Sequence, residues 1–424
     1  MNSFYLLLDM GSTSIKCSLI ETGTTRLKNT SSAATPDFMK ITDNVREIDP
    51  TTLINTCKGL ISGFLNKGFQ FEGLLITGQM GCWILTDLEN RPFTNIVSWQ
   101  DARGLTDGAD GSNAFNYIEK KIGKELRNCN GNEFRASLPL VGIYQSFQDD
   151  PGLGRKIRFH SLISWVSSQL SENYSFVVHD TDAAASGFFD IWKHEWASIA
   201  TSLFPGELFL PEVSNDLLQV GINSELSCPV FTPVGDQQSS LMGIGIQKNQ
   251  IAVNIGTGGQ IAKTVDNLEM NELQMRPYFQ GRFLLTKTHL PAGRSIAHFL
   301  TFILGRVPQS EDYAWMNTQP VVPNHSAEID VKNYESEIKR LSTSSSINRE
   351  SLAANVLDSI AKVYEVEIQK LRDNSKSELL MAGGIGNRMT SIGRALGKNL
   401  DMRVEFSDTE DTTLQGLANI ANTL

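Results

Sequence analysis

The sequence predicts an α/β protein built from two related halves, on three observations. Short apolar strands end in glycines, helical patterns lie between them, and two strand-and-glycine strings recur in the same order along the chain. The first string is Leu6-Leu7-Leu8-Asp9-Met10-Gly11-Ser12-Thr13, echoed by Ile251-Ala252-Val253-Asn254-Ile255-Gly256-Thr257-Gly258. Each leads into a second apolar stretch, 15–20 and 260–265, as a hairpin requires. The second string is Leu74 to Gly81, echoed by Leu379 to Gly386. Between them, helical patterns are expected over 51–66, 115–128, 158–170 and 349–371. In the last, Leu352, Val356, Leu357, Ile360 and Val363 share one face.

With 424 residues, 40% of them hydrophobic and 20% charged, the chain can fill more than one core. The boundary is expected at Phe231-Thr232-Pro233, giving domains 1–233 and 234–424, with the serine and threonine run 342–346 as an exposed loop. A net charge of -10 argues against nucleic-acid or anionic-membrane partners. Five scattered cysteines without CxxC spacing suggest neither a disulfide framework nor a zinc site, and fit a reducing cytoplasm. The first residues contain no signal-peptide pattern, and no apolar run is long enough to span a bilayer, so a cytoplasmic protein is expected.

Four segments carry candidate chemistry. In Asp9-Met10-Gly11-Ser12-Thr13-Ser14-Ile15-Lys16, a glycine turn lets backbone N–H groups approach phosphate oxygens. Ser12 and Thr13 add donors there, Lys16 adds a cation, and Asp9 can hold Mg²⁺ directly or through water. The same string also suits a plain surface hairpin. Gly256-Thr257-Gly258-Gly259 would form a second nest of amides, or a flexible turn. Neither a GxxxxGK[ST] loop nor a helix-opening GxGxxG is present, so a phosphate grip would need these hairpins. In Gly235-Asp236-Gln237-Gln238, Asp236 suits either a helix cap or a general base that takes a proton from an attacking hydroxyl. Trp99-Gln100-Asp101-Ala102-Arg103 sets an aromatic face beside an amide, an acid and a guanidinium, a set that suits sugars and also a core Trp with a surface ion pair. The six histidines show no metal-ligand spacing.

Taken in order, these segments resemble the FGGY family of carbohydrate kinases. The similarity runs through Asp9 to Lys16, Gly78-Gln79-Met80-Gly81, Trp99 to Arg103, Ala185-Ser186-Gly187-Phe188-Phe189-Asp190, Gly235 to Gln238, Gly256 to Gln260, and Gly383-Gly384-Ile385-Gly386-Asn387. The resemblance implies two duplicated ribonuclease H-like domains of the actin/hexokinase type, with a cleft between them. It implies a sugar site with Gln79, Met80, Trp99, Asp101, Arg103, Asp236 and Gln237, and Asp236 as base. ATP phosphates would be held by Gly11, Ser12, Thr13, Lys16 and Gly256 to Gly259, adenosine by Gly383, Gly384 and Asn387, and Mg²⁺ by Asp9. Partners are then a small sugar and ATP, with no nucleic acid or membrane, and a homodimer is compatible. The Trp-Gln-Asp segment, Ala-Ser-Gly-Phe-Phe-Asp and Pro277-Tyr278-Phe279-Gln280-Gly281-Arg282 look most like the sedoheptulokinase branch. Two departures stand out. Leu140-Val141-Gly142-Ile143-Tyr144 replaces the family's Lys before an aromatic helix, and the stretch between Leu300 and Arg349 is abbreviated. The shortened stretch motivates a rival, a non-catalytic sugar or nucleotide sensor of the same fold, which would have no use for Asp9 and Asp236. An actin-like ATPase is a second rival, and it would have no use for Trp99 to Arg103.

Overall fold

The computed structural model describes residues 3–65, 68–108, 111–150, 153, 156–204, 207–321, 329–342, 348–373 and 377–424. Residues 343–346 of the serine and threonine run lie outside these. The chain forms two compact units that do not follow the boundary expected at 233–234. One comprises 1–243, 267–283 and 411–424, and the other 244–266 and 284–410.

In the first unit, one sheet takes the order Gln219–Asn223, Cys228–Phe231, Gln70–Gly78, Ser3–Met10, Ser14–Glu21, Lys28–Ala34. Ser3–Met10 runs antiparallel to Ser14–Glu21 and parallel to Gln70–Gly78. The two-residue strand Val234–Gly235 pairs in parallel with Thr77 and Gly78. Leu6, Leu8, Ile15, Leu74, Ile76 and Trp165 are fully or almost fully buried in one core on this sheet. A second core, around Trp83, Phe159 and Phe188, lies on a sheet that includes Trp83–Thr86 and Lys156–Ser161. Gly142 adjoins the Trp83 indole so closely that a Cβ would lie 3.0 Å from its ring, so the sequence's departure at 140–144 makes room for an aromatic ring.

The helix expected over 158–170 begins only at Leu162. Residues 156–161 are a strand paired antiparallel with Trp83–Thr86, and Ser161 then caps Leu162–Gln169 through Ser164 N. Cross-strand pairing overrides the helical period there, because Ile157 and Phe159 alternate into the core. The helix Arg349–Leu371 has its expected bounds, but its buried face runs through Tyr364 and Ile368, and Val363 sits half-buried beside it.

The second unit repeats the strand plan of the first. Gln250–Ile255 runs antiparallel to Gly259–Val265 and parallel to Glu378–Ala382. Both strings that recur in the sequence therefore occupy matching positions in their sheets. Among the described residues no helix is long and apolar enough to cross a membrane.

Candidate active site

Parallel strands align their carboxyl ends, and in open α/β sheets ligands sit there. In the first unit the register pairs Met10 with Gly78 and Gly78 with Gly235. Asp9, Gln79 and Asp236 thus emerge at adjacent strand ends. Around the first turn, Gly11 N donates to Ser14 O at 3.1 Å, and a Cβ on Gly11 would lie 2.9 Å from that oxygen, so this turn needs glycine. Ser12 and Thr13 are exposed at the tip.

Asp9 is buried, and its pKa is pushed up to about 7 by burial and by the negative charges of Asp236 and Asp411, against the pull of Lys16. Lys16 is ion-paired with Asp411. Three carboxylates against one ammonium make a place that favours a divalent cation. Among the described residues, no group of three or more His, Cys, Asp or Glu is arranged to hold a metal ion. The donor set fits an ion that completes its shell with water and phosphate oxygens, as Mg²⁺ does.

Asp236 opens the helix Asp236–Gly243. Burial pushes its pKa up to about 6, while hydrogen bonds from backbone groups of Gln237 and Met80, and the charge of Arg276, hold it down. Asp236 is thus the first residue of its helix and carries a buried carboxyl group with a raised pKa. Its helix crosses Thr412–Ala421 at a pair of glycines. A Cβ on Gly243 would lie 1.8 Å from Thr412 O, and one on Gly416 would lie 1.8 Å from Ser239 O.

The predicted sugar residues divide into two groups. Gln79 is buried and bonded at both ends of its amide, with Nε2 donating to Gly11 O at 3.1 Å and Oε1 accepting from Trp99 Nε1 at 3.1 Å. It ties the aromatic ring to the phosphate-type turn. Met80 adjoins Gly235, where a Cβ would lie 2.8 Å from its sulfur. Gln237 is buried and accepts from Arg276 Nη1 at 2.6 Å. Asp101 and Arg103 instead form a cluster of their own. Asp101 accepts from Arg46 N and from Arg103 N, Nε and Nη2, while Arg103 also reaches Glu47 at 2.8 Å. A substrate contact from either would compete with these bonds.

In the second unit, Gly256 and Thr257 are gripped by the start of the helix Gly293–Leu304. Gly293 N donates to Gly256 O at 3.0 Å and Arg294 N to Thr257 O at 3.1 Å. A Cβ on Gly259 would lie 2.0 Å from Tyr364 Oη, whereas one on Gly256 would meet nothing nearer than 3.8 Å, and Gly258 faces open space. Gly383 has φ +88°, and a Cβ there would lie 2.3 Å from Asn254 Oδ1. Gly384 opens the short helix Gly384–Arg388, and Asn387 Oδ1 is buried without a hydrogen-bond partner among the described residues.

Sequence reasoning missed several groups near Asp236. Asp182, pushed up to about 7 by burial, accepts from Ser161 Oγ at 2.5 Å and feels the charge of Asp236. Arg276 donates from Nε and Nη2 to Glu133 Oε2 at 3.0 and 2.8 Å, and Glu133 is also ion-paired with Arg135. The only signal for the Glu133 and Arg135 pair was a one-residue spacing in Asn-Glu-Phe-Arg, too common a pattern to single out.

The signature of the FGGY family of carbohydrate kinases, N-terminal domain, matches residues 4–243, more than half of the chain. Mouse glycerol kinase 5 is 26% identical over 285 residues, 60% of this chain and 52% of that protein. A gluconokinase of Bacillus licheniformis is 25% identical over 313 residues, 69% and 57% respectively. The chain spans about half the length of the curated relatives it matches. The fold is similar to that of a ligand-bound xylulose kinase from Lactobacillus acidophilus, with a TM-score of 0.80 at 13% identity over 99% of this chain and 89% of that one. These neighbours have the two-domain actin/hexokinase-like fold, and together with the matched signature they lead to one assignment: the chain belongs to the FGGY family of carbohydrate kinases.

Proposed function

We propose that the chain transfers the γ-phosphoryl group of ATP to a primary hydroxyl of a small ketose of five to seven carbons, with sedoheptulose, ribulose and xylulose as the candidate substrates. The observation that carries this reading is the alignment of Asp9, Gln79 and Asp236 at neighbouring strand ends, with Trp99 hydrogen-bonded to Gln79. A xylulose kinase of Lactococcus lactis among the relatives supports a ketose.

In this reading the first unit binds the sugar and the second binds the nucleotide. Asp236 Oδ accepts the proton of the attacking hydroxyl. A carboxylate raised to about 6 is a stronger base than an ordinary one, yet stays mostly ionised at neutral pH. Gly11 and Gly256 close the two turns through their own N–H groups, which leaves Ser12 and Thr13 in one turn and Thr257 to Gly259 in the other to offer backbone N–H groups to the phosphates; Lys16 adds charge, and Gly383, Gly384 and Asn387 receive the adenosine. Asp9 would hold Mg²⁺, directly or through water, and the ion would neutralise phosphate charge. Trp99 offers its face to the sugar's C–H groups, and Met80 and Gln237 line the approach to Asp236. The reaction belongs in the cytoplasm, where ATP is abundant, and a homodimer is the assembly to look for by light scattering.

The test is a coupled ATP-consumption assay with Mg²⁺ across free ketoses, polyols, aldoses, acetate and a purified protein. Ketoses are expected to be consumed fastest. Faster ATP consumption with acetate or protein than with every ketose would overturn the assignment.

A further inference from the structure

The first unit carries a charged group beside Asp236 that the proposed reaction does not use. Glu133 is 1% exposed and lies between two guanidiniums. Its Oε2 accepts three hydrogen bonds, two from Arg276 and one from Gln274 Nε2 at 3.0 Å, and its Oε1 is paired with Arg135. Arg276, 5% exposed, uses its remaining nitrogen on Gln237, the neighbour of Asp236. Two hydrogen bonds across the turn, Met275 N to Gly131 O at 2.8 Å and Gln238 Nε2 to Pro277 O at 3.1 Å, fix 275–277 against both 131 and 238.

Arg135 differs from Arg276 in how its nitrogens are used. Nη1 is buried against Glu133, and Nε donates to Ser137 Oγ at 3.2 Å. Nη2 has no acceptor among the described residues, and the side chain keeps 22% exposure. That nitrogen also lies at the segment Gly78 to Gly81, which carries the expected sugar residues Gln79 and Met80, because a methyl group at Gly81 would touch Arg135 Nη2 and Trp99 Cβ, each at 3.6 Å. Gly81 follows Met80, whose backbone holds the Asp236 carboxylate. Two guanidiniums share one carboxylate here, so a positive charge is left facing the loop.

We propose that Arg135 is a specificity-determining residue whose Nη2 donates to an sp² oxygen of the substrate, a keto or carboxylate oxygen, and thereby selects sugars that carry one over the corresponding alditols. This rests on the kinase reading above for the location of the sugar. A carbonyl or carboxylate oxygen accepts from a charged N–H more strongly than a hydroxyl does, and Arg is built for such acceptors. Burial, together with the neighbouring charge of Arg276, pushes the Arg135 pKa down to about 9, so an oxygen carrying partial or full negative charge is welcome there. Glu133 ties this contact to Gln237 through Arg276, so a substrate oxygen on Arg135 would be held in a fixed relation to Asp236.

The experiment measures sugar binding by calorimetry without nucleotide, on parent, R135M and R135K, using ribulose with ribitol, xylulose with xylitol, and gluconate with glucitol. The parent is expected to bind a keto sugar or the aldonate at least about tenfold more tightly than the matching alditol, within the range for a hydrogen bond to a charged donor. In R135M that ratio should fall close to one, and in R135K it should be intermediate. Preference for the ketoses identifies a keto oxygen as the acceptor, and preference for gluconate identifies a carboxylate. Equal binding of alditol and carbonyl sugar by the parent would overturn the proposal, as would an undiminished ratio in R135M. Glu133 keeps three hydrogen bonds when Arg135 is truncated, so the variant should remain folded, and a melting curve checks it. Binding with the predicted preference but no ATP consumption would refute the kinase reading and leave the role of Arg135 standing. ATP consumption without the preference would do the reverse.

Discussion

The two glycine hairpins answer the same strand plan with different physics. The turn after Asp9 is surrounded by ionisable groups, Asp9, Lys16, Asp411 and Asp236, and it has one sterically demanding glycine, Gly11. The turn after Ile255 has no ionisable residue between Asn254 and Ala262. It is held by the start of the helix Gly293–Leu304 from one side and by Tyr364 from another. Duplicated backbones can therefore diverge into a turn set among ionisable groups and a turn fixed by the packing of its neighbours. The first can respond to cations and pH, and the second answers mainly to shape.

The largest expected effect sharpens this contrast at the charged end. Asp236→Asn keeps an oxygen that can begin the helix, so the melting temperature should stay near that of the parent. The amide cannot take up a proton, so kcat should fall by at least about two orders of magnitude. Retention of a tenth of parental turnover on the best sugar would reject Asp236 as base.

At the neutral end, Gly259→Ala should displace the hairpin, because the new methyl group meets Tyr364 Oη and, at 2.9 Å, Leu290 O. A loss of about 1–3 kcal/mol in stability is expected, with a KM for ATP raised several-fold or more. Adding Tyr364→Phe should recover part of both, since it removes the nearest clashing atom. Gly256→Ala, which has room for its methyl group, should change KM for ATP by less than about twofold. Equal damage from both substitutions would mean that the whole turn, and not the Tyr364 contact, demands glycine.

The smallest effect concerns pH. Asp9 and Asp236 have folded-state pKa values above those of a free carboxyl, so the folded protein binds more protons than the unfolded chain between about pH 4 and 7. Their contribution is fully present below the unfolded pKa and is lost as pH rises through 6 to 7. Asp9→Asn should flatten the fall in melting temperature across this window, and Mg²⁺ should stabilise the parent more than the variant above pH 7. An unchanged slope in Asp9→Asn would show that the charge cluster does not govern stability there.

Much of the scaffold was legible because local rules and tertiary packing agree in it. Both hairpins, the parallel strands ending at Gly78 and Ala382, and the helix Arg349–Leu371 follow from apolar periodicity closed by glycine. The strand Lys156–Ser161 was not legible, since its partner Trp83–Thr86 lies far back in the sequence. Of the candidate site, Asp9, Gln79, Trp99 and Asp236 were visible as motif residues, and the strand register gathers Asp9, Gln79 and Asp236. Their surroundings were not visible. Glu133 and Arg276 are 143 residues apart, and no local pattern links a carboxylate to a guanidinium at such a separation. Asp101 and Arg103 were visible as polar residues beside a tryptophan, but the Arg46 and Glu47 that complete their cluster come from a distant strand.

The glycine-to-glycine crossing of Asp236–Gly243 with Thr412–Ala421 also constrains how the molecule is made. Residues 411–424 follow the whole of the second unit along the chain, yet they complete the first. During synthesis the helix carrying Asp236 must wait, without its partner, while more than 160 residues emerge. Its close backbone contact can form only after that, once Thr412–Ala421, with its buried Leu414, Leu417 and Ile420, has been made. Translation speed and chaperone access over the second unit are therefore expected to govern the yield of native protein more than the local sequence around Asp236 does.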